Sequence, residues 1–196
     1  MNNEVIMKRE YWEERWNKGE TGWDIGYASP PLIEYAMQLE DKNKKILIPG
    51  AGNAYEAEFL WKNGFKNIYV LDISYTAAGR FLERCPEFPK QQVIVEDFFQ
   101  HNDQYDLILE QTFFCALPPS CREKYVEKVY SLLNRKGKIA GVLFNCEFEV
   151  NPPFGGNKQE YLSLFSKKFT IKTMETCRNS IKPRMGRELF FIAEKN

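Results

Sequence analysis

Apolar positions along the chain fall into short runs separated by polar, helix-compatible segments. Ile46, Leu47 and Ile48 form one such run, which halts at Pro49 and enters a tight Gly50-Ala51-Gly52 turn. Residues 54–61 then suit a helix, and a second apolar run, 68–71, stops at Asp72. A strand, a glycine turn, a helix and a second strand are predicted. Downstream, 75–84 reads as a helix ended by Pro86, 92–95 as a third strand and 105–109 as a fourth. Residues 122–133 read as a helix capped by Ser120 and ended by Asn134-Arg135-Lys136-Gly137, and 138–144 as a buried fifth strand. After the Asn151-Pro152-Pro153-Phe154-Gly155-Gly156 loop comes a short helix through Tyr161, Leu162, Leu164 and Phe165. Two last runs, 169–174 and 188–193, read as an antiparallel closing pair joined by an exposed connection, 178–187. Ahead of the first strand, Ser29 is placed to cap a helix that begins at Pro30-Pro31. Trp12 and Trp16, four residues apart, share one face of an earlier helix.

Strands alternating with helices predict an α/β fold. The expected architecture is a doubly wound Rossmann-like sheet of about seven strands, mostly parallel with an antiparallel C-terminal strand. At 196 residues one domain is expected, with 1–43 as an N-terminal helical lid and 44–196 as the core. The 27 basic and 27 acidic residues balance, so neither a nucleic-acid track nor an anionic membrane surface is expected as a partner. A small-molecule partner is expected, and oligomeric state is left open with a monomer preferred. No apolar run approaches the roughly 20 residues of a spanning helix, and the first residues lack the apolar stretch of a signal peptide. A cytoplasmic location is expected. Five cysteines without a C-x-x-C and one histidine make a poor metal set, so no metal is expected.

Candidate chemistry gathers around the glycine turn. In such a unit the turn lies beside a helix N-terminus, and a carboxylate ending the second strand faces the same crevice, where Asp72 can accept both hydroxyls of a ribose. Dinucleotide sites use G-x-G-x-x-G; here Tyr55 stands at the third glycine and Glu56 follows it. An acid at that helix start would repel a pyrophosphate and suits a ligand with a positive centre. A tight turn with no ligand is the competing reading. Three of the four tryptophans, Trp12, Trp16 and Trp23, lie within twelve residues. They suit either a helix closing the edge of the core or a lid whose rings face an adenine or a sulfonium. Asp97 and Phe98 follow the third strand, where they can read and cover an adenine; a plain acidic turn is the alternative.

With these pieces in place the chain resembles the thiopurine S-methyltransferase family, and most of all its branch of thiol, halide and thiocyanate methyltransferases. The resemblance runs from about Tyr11 to the C-terminus. It is carried by Trp12, Trp16 and Gly22-Trp23, by Leu47-Ile48-Pro49-Gly50-Ala51-Gly52, Leu71-Asp72-Ile73-Ser74 and Glu96-Asp97-Phe98-Phe99, and by Tyr105-Asp106-Leu107-Ile108, Phe113-Phe114-Cys115-Ala116 and Pro152-Pro153-Phe154. It implies S-adenosylmethionine as cofactor, S-adenosylhomocysteine as product, and cofactor contacts from Trp12, Trp16, Trp23, Gly50, Asp72, Ile73, Asp97, Phe98 and Glu110. The halide-methylating branch usually has aspartate and tyrosine where this chain has Glu110 and Gln111, and tyrosine in place of Phe154. A hydroxyl missing at 154 removes a donor that would orient an anion, which argues against a halide as the main acceptor.

The expected reaction is methyl transfer to a small soft nucleophile, most of all a thiol such as a thiopurine or bisulfide, in a detoxifying role; halide, thiocyanate, selenium and tellurium species are alternatives. No catalytic general base is expected, because a thiol with a pKa near about 8.5 is already partly thiolate at neutral pH. An apolar acceptor pocket of Trp23, Tyr27, Phe113, Phe114, Cys115 and Phe154 is expected. The only histidine, His101, sits in a polar turn and is expected to be solvated and uninvolved. Arg122 and Arg187 are candidate partners for an anionic acceptor, with plain surface solvation as the other reading. Competing functions are a protein or nucleic-acid methyltransferase, opposed by the neutral charge and the missing N-P-P-Y-type signature after the fourth strand, a nicotinamide-dependent oxidoreductase, opposed by Tyr55 and Glu56, and a nucleoside-binding module without activity.

Overall fold

The computed structural model describes residues 8–196, so most of the N-terminal stretch read for a signal peptide lies outside the described residues. Helices α1 (Arg9–Lys18) and α2 (Pro30–Met37) precede a sheet of seven strands: β1 (Ile46–Pro49), β2 (Ile68–Asp72), β3 (Val93–Val95), β4 (Tyr105–Gln111), β5 (Leu133–Phe144), β6 (Phe169–Thr176) and β7 (Glu188–Lys195). Helices α3 (Tyr55–Lys62), α4 (Tyr75–Arg84), α5 (Arg122–Leu132) and α6 (Lys158–Phe165) connect them. The strand order is β3-β2-β1-β4-β5-β7-β6, with β7 antiparallel to both neighbours and the other pairings parallel. The expected α/β Rossmann-like sheet is therefore present.

β1 reads as an unbroken apolar run because both faces of the sheet are covered. Leu47 packs with Tyr125, Val129 and Phe165 of α5 and α6, whereas Ile46 and Ile48 pack with Leu32, Leu60 and Phe81 of α2, α3 and α4. Each such aliphatic side chain contributes roughly 1.5–3 kcal/mol by leaving water. The glycine turn between β1 and α3 is thus anchored from two cores.

Local expectations are corrected in five places. Ser120 lies inside a 3-10 turn, Pro119–Cys121, and caps nothing; α5 has Cys121 at its N-cap position without a side-chain cap. Ser29 stands at the N-cap of α2, yet its backbone N–H donates to Glu56 Oε1 at 2.8 Å instead of its hydroxyl capping the helix. Residues 134–137, read as a turn between helix and strand, form an irregularity inside β5: Tyr105 pairs with Leu133 and Leu107 with Lys138, and Lys136 adopts φ 64°. His101 is buried, not solvated, because Glu96 and the Tyr105 hydroxyl (2.8 Å) engage its two ring nitrogens. The connection 178–187 is only partly exposed, since Ser180 is buried and Arg184 crosses to the carbonyl oxygen of Trp23 at 2.9 Å.

Candidate active site

The strand order reverses between β1 and β4, and the crevice beyond their carboxyl ends is where α/β sheets bind ligands. A cavity of about 530 Å³ opens there, inside the range of about 300–1,000 Å³ usual for small-molecule sites. Its base is the turn after β1. Gly50 and Gly52 adopt φ +58° and +53°, left-handed values that glycine takes at no steric cost. A Cβ on Gly50 would stand 2.5 Å from the Phe113 ring, so backbone and ring meet with nothing between them.

Asp72 ends β2 beside this turn. Its Oδ2 accepts the Gly52 N–H at 2.8 Å and its Oδ1 accepts the Ser74 N–H at 2.9 Å. Burial raises the carboxyl above its ordinary value, and the N–H groups of Ser74, Gly52 and Ile73 counter that shift. An ionised carboxylate accepts about four hydrogen bonds, so acceptor capacity beyond these N–H groups remains. Burial likewise raises Glu56, which does not line the large cavity. Its carboxylate turns toward α2 and lines a recess of about 50 Å³ behind the turn, with Asp24 and Gln111.

The lid is fastened from both sides. On α1, Trp12 and Trp16 meet Trp23 edge to face at ring separations of 5.4 and 5.7 Å. Gly19 at φ 69° ends the helix and turns the chain back so that Trp23 reaches its partners. Glu13 accepts the Tyr75 N–H and the Thr76 hydroxyl, each at 2.6 Å, at the start of α4, while Arg9 donates to the Ile73 carbonyl oxygen at 2.8 Å.

The cavity lining brings together Trp12, Trp16, Trp23, Gly50, Asp72, Ile73, Asp97 and Phe98 with Phe113 and Cys115. It does not include four other residues expected to contact cofactor or acceptor. Glu110 is wholly buried below the floor, where Tyr125, Phe113 and Phe114 bind its carboxylate. Phe114 points down as well, among Tyr125, Tyr161 and Phe165. Tyr27 is 52% exposed and faces the recess behind the turn. Phe154 contributes its backbone, donating its N–H to the Cys115 carbonyl oxygen at 2.6 Å, and Pro152 and Pro153 line the cavity in its place. Of the two arginines considered, Arg122 is buried against Glu160 and the Gly155 carbonyl oxygen, and Arg187 lines the cavity.

Sequence reasoning missed Thr112, Phe144, Phe148 and Arg184, which also line it. Thr112 at φ 59° follows the end of β4 and is the nearest to legible, since it adjoins Phe113, which was expected in the acceptor pocket. Arg184 has no local signature. Phe113, Cys115, Leu117, Phe144 and Phe148 give the lining its apolar side chains beyond the lid, with Arg184 over the Phe144 ring and Arg187 over the Phe148 ring, and burial pushes the Cys115 thiol well above its ordinary range. Among the described residues no three His, Cys, Asp or Glu side chains cluster as metal ligands do. The residues present fit S-adenosylmethionine: a carboxylate with spare acceptor capacity, a glycine cradle that a Cβ would fill, and three indoles.

The profile of the family described as Thiopurine S-methyltransferase (TPMT) matches residues 7–195. "Probable thiol methyltransferase 2" of Arabidopsis thaliana is 30% identical over 156 residues, covering 76% of this chain and 69% of that protein. The thiopurine S-methyltransferase of Acinetobacter baylyi is 23% identical over 196 aligned positions, covering 86% and 88%. Among solved structures, magnesium protoporphyrin IX methyltransferase from Synechocystis PCC 6803 with bound S-adenosylmethionine has a TM-score of 0.76 and 13% identity, with 100% of each chain covered. That last likeness concerns the fold alone.

Proposed function

Because this chain belongs to the thiopurine S-methyltransferase family, and so is an S-adenosylmethionine-dependent methyltransferase, we propose that its acceptor is a small soft nucleophile, a thiol above all. The observation that carries this reading is the aromatic and aliphatic share of the lining beyond the lid, whose charged neighbours in that lining, Arg184 and Arg187 over the Phe144 and Phe148 rings, are cations and not bases. Phe113, Leu117, Phe144 and Phe148 offer no base, and Cys115 is held neutral by burial. Oxygen and nitrogen acceptors need a base and hydrogen-bond acceptors at the reacting atom, whereas a thiolate needs only desolvation and alignment. His101 does not supply a base here, since it lies outside the cavity lining with both ring nitrogens engaged.

In this reading the bound cofactor supplies a methyl group on a cationic sulfur. Asp72 holds the ribose, Asp97 and Phe98 take the adenine, and Gly50 and Ile73 let the backbone approach. Trp12, Trp16 and Trp23 exclude water and present ring faces to positive charge. The lid, within 1–43, closes on the core, 44–196, as parts of one domain. The chain acts in the cytoplasm, in a detoxifying role, without a nucleic-acid or membrane partner.

A second reading, an acceptor that is itself an anion such as thiocyanate or a selenium oxyanion, is favoured by Arg187. This guanidinium is exposed over the Phe148 ring at 5.0 Å, and among the described residues no carboxylate lies within ion-pairing distance of it. Incubation with methyl-labelled cofactor across thiols, thiopurines, thiocyanate, iodide and selenite tests both. Label on sulfur of a neutral-chain thiol supports the first; transfer confined to anions that Arg187→Gln abolishes supports the second.

A further inference from the structure

Glu110 carries a carboxylate wholly buried under the cavity floor, and among the described residues no cation lies beside it. Its Oε1 accepts the backbone N–H groups of Phe113 and Phe114, each at 2.9 Å, and its Oε2 accepts the Tyr125 hydroxyl at 2.5 Å. The ionised carboxylate takes all three as donors; a protonated one can donate only to the Tyr125 hydroxyl, which must then turn its own proton away and give up its bond to Glu110. The segment so held is unfavourable by itself, because Thr112 sits in the left-handed region at φ 59°. Just beyond, the Phe113 ring closes over Gly50 and meets Phe98 at 5.1 Å, while Tyr125 stacks on Phe98 at 5.5 Å. One carboxylate thereby ties two cavity walls, Phe113 and Phe98, to a single point.

We propose that Glu110 is a positioning residue for methyl transfer: ionised, it fixes the turn 112–116 and with it the wall between the cofactor and acceptor sides, and protonation slackens that wall. The proposal rests on the functional reading above for its effect on rate, though not for its effect on the turn. Burial, partly offset by Tyr125, Phe114 and Phe113, raises the carboxyl from its ordinary 4.5 to about 7, so it changes charge in the working range. The groups facing it do not titrate there. From α5, Tyr125 is held far above its ordinary value by burial and then by Glu110. From the following turn, Cys115 is pushed up by burial and then by Glu110. Opposite it in the sheet β5 presents Gly141, with no side chain at all, and on α6 Tyr161 is raised by burial and separated from it by Phe114. Arg122 on α5 is engaged by Glu160 and Gly155.

The test has two arms. In isotope-labelled protein without cofactor or acceptor, the Phe113 and Phe114 amide resonances are followed from about pH 5.5 to about 8.5. A shared inflection near 7 is expected in the parent, absent in Glu110→Gln and displaced in Tyr125→Phe. Amides that do not titrate together overturn the proposal whatever the enzyme methylates. In the second arm, kcat/KM is measured for an acceptor found in the screen, with the acceptor's own ionisation divided out. It should fall about tenfold from pH 8 to pH 6, the ratio of ionised fractions for a group of pKa near 7. Glu110→Gln should be flat at the lower level. A variant that keeps the acid limb assigns Glu110 a merely structural part and ends the proposal.

Discussion

Phe113 lies so closely across Gly50 that a Cβ on the glycine would stand 2.5 Å from its ring. Two conditions converge there, since Gly50 also sits at φ +58°. Gly50→Ala should therefore cost about 1–2 kcal/mol for the left-handed backbone and push Phe113 off the turn, weakening S-adenosylhomocysteine binding as well. Gly52→Ala meets its nearest neighbour, Trp16, at 3.6 Å and should carry the backbone cost alone. Thermal unfolding and calorimetric titration of both variants separate the two. Equal losses in affinity would mean that contact with Phe113 does not matter.

Asp72 already serves Gly52 and Ser74 within the protein. If it also binds the ribose, Asp72→Ala should lose cofactor affinity by roughly 1.5–3 kcal/mol, the scale of charge-assisted hydrogen bonds. Titration with 5′-deoxy-5′-methylthioadenosine, which keeps the ribose and lacks the amino acid, should show the same loss. Unchanged binding would place the ribose elsewhere.

Glu110 makes stability depend on pH with a definite sign. Its folded pKa, about 7, lies above the unfolded 4.5, so the folded state binds the extra proton between these values. Its contribution is full below pH 4.5 and is lost as pH rises through 7, on the order of 3 kcal/mol at most. Glu110→Gln cannot ionise. The stability of the variant relative to the parent should rise between these pH values and level off above 7, read from urea unfolding at a series of pH values. A difference independent of pH would show that the carboxylate is not held as described.

The lid latch predicts the opposite sign. Burial raises Glu13, and the Thr76 hydroxyl with the Tyr75 N–H outweighs it, leaving its carboxyl lowered. That stability is present above the unfolded value and is lost as pH falls through the folded one. Removing an anion from a helix start costs about 0.5–2 kcal/mol. Glu13→Ala should therefore loosen α1 and speed release of S-adenosylhomocysteine, followed by stopped-flow tryptophan fluorescence. An unchanged release rate would mean that the lid is held by its indoles alone.

The strand, glycine turn and strand around Gly50 were legible because β1 is buried on both faces and turns sharply, and both leave marks in local sequence. The indole cluster was legible because Trp12 and Trp16 share a helical face. What stayed hidden depends on contacts across the sheet or between distant segments. Glu110 reads as a polar residue at a strand end, and only its pairing with Gly141 and the approach of α5 place it under the floor. Arg184 reads as loop charge until its contact with Trp23 is seen, and His101 as a solvated turn until Tyr105 and Glu96 are. Phe154 was chosen by likeness of motif, yet the loop presents Pro152 and Pro153 to the cavity instead.

Competition between benzenethiol and phenol for methyl-labelled cofactor tests the central claim most directly, because the two acceptors differ in one atom. The apolar wall without a base predicts label in methyl phenyl sulfide and none above background in anisole. Transfer to phenol at a comparable rate, or to phenol alone, would contradict it.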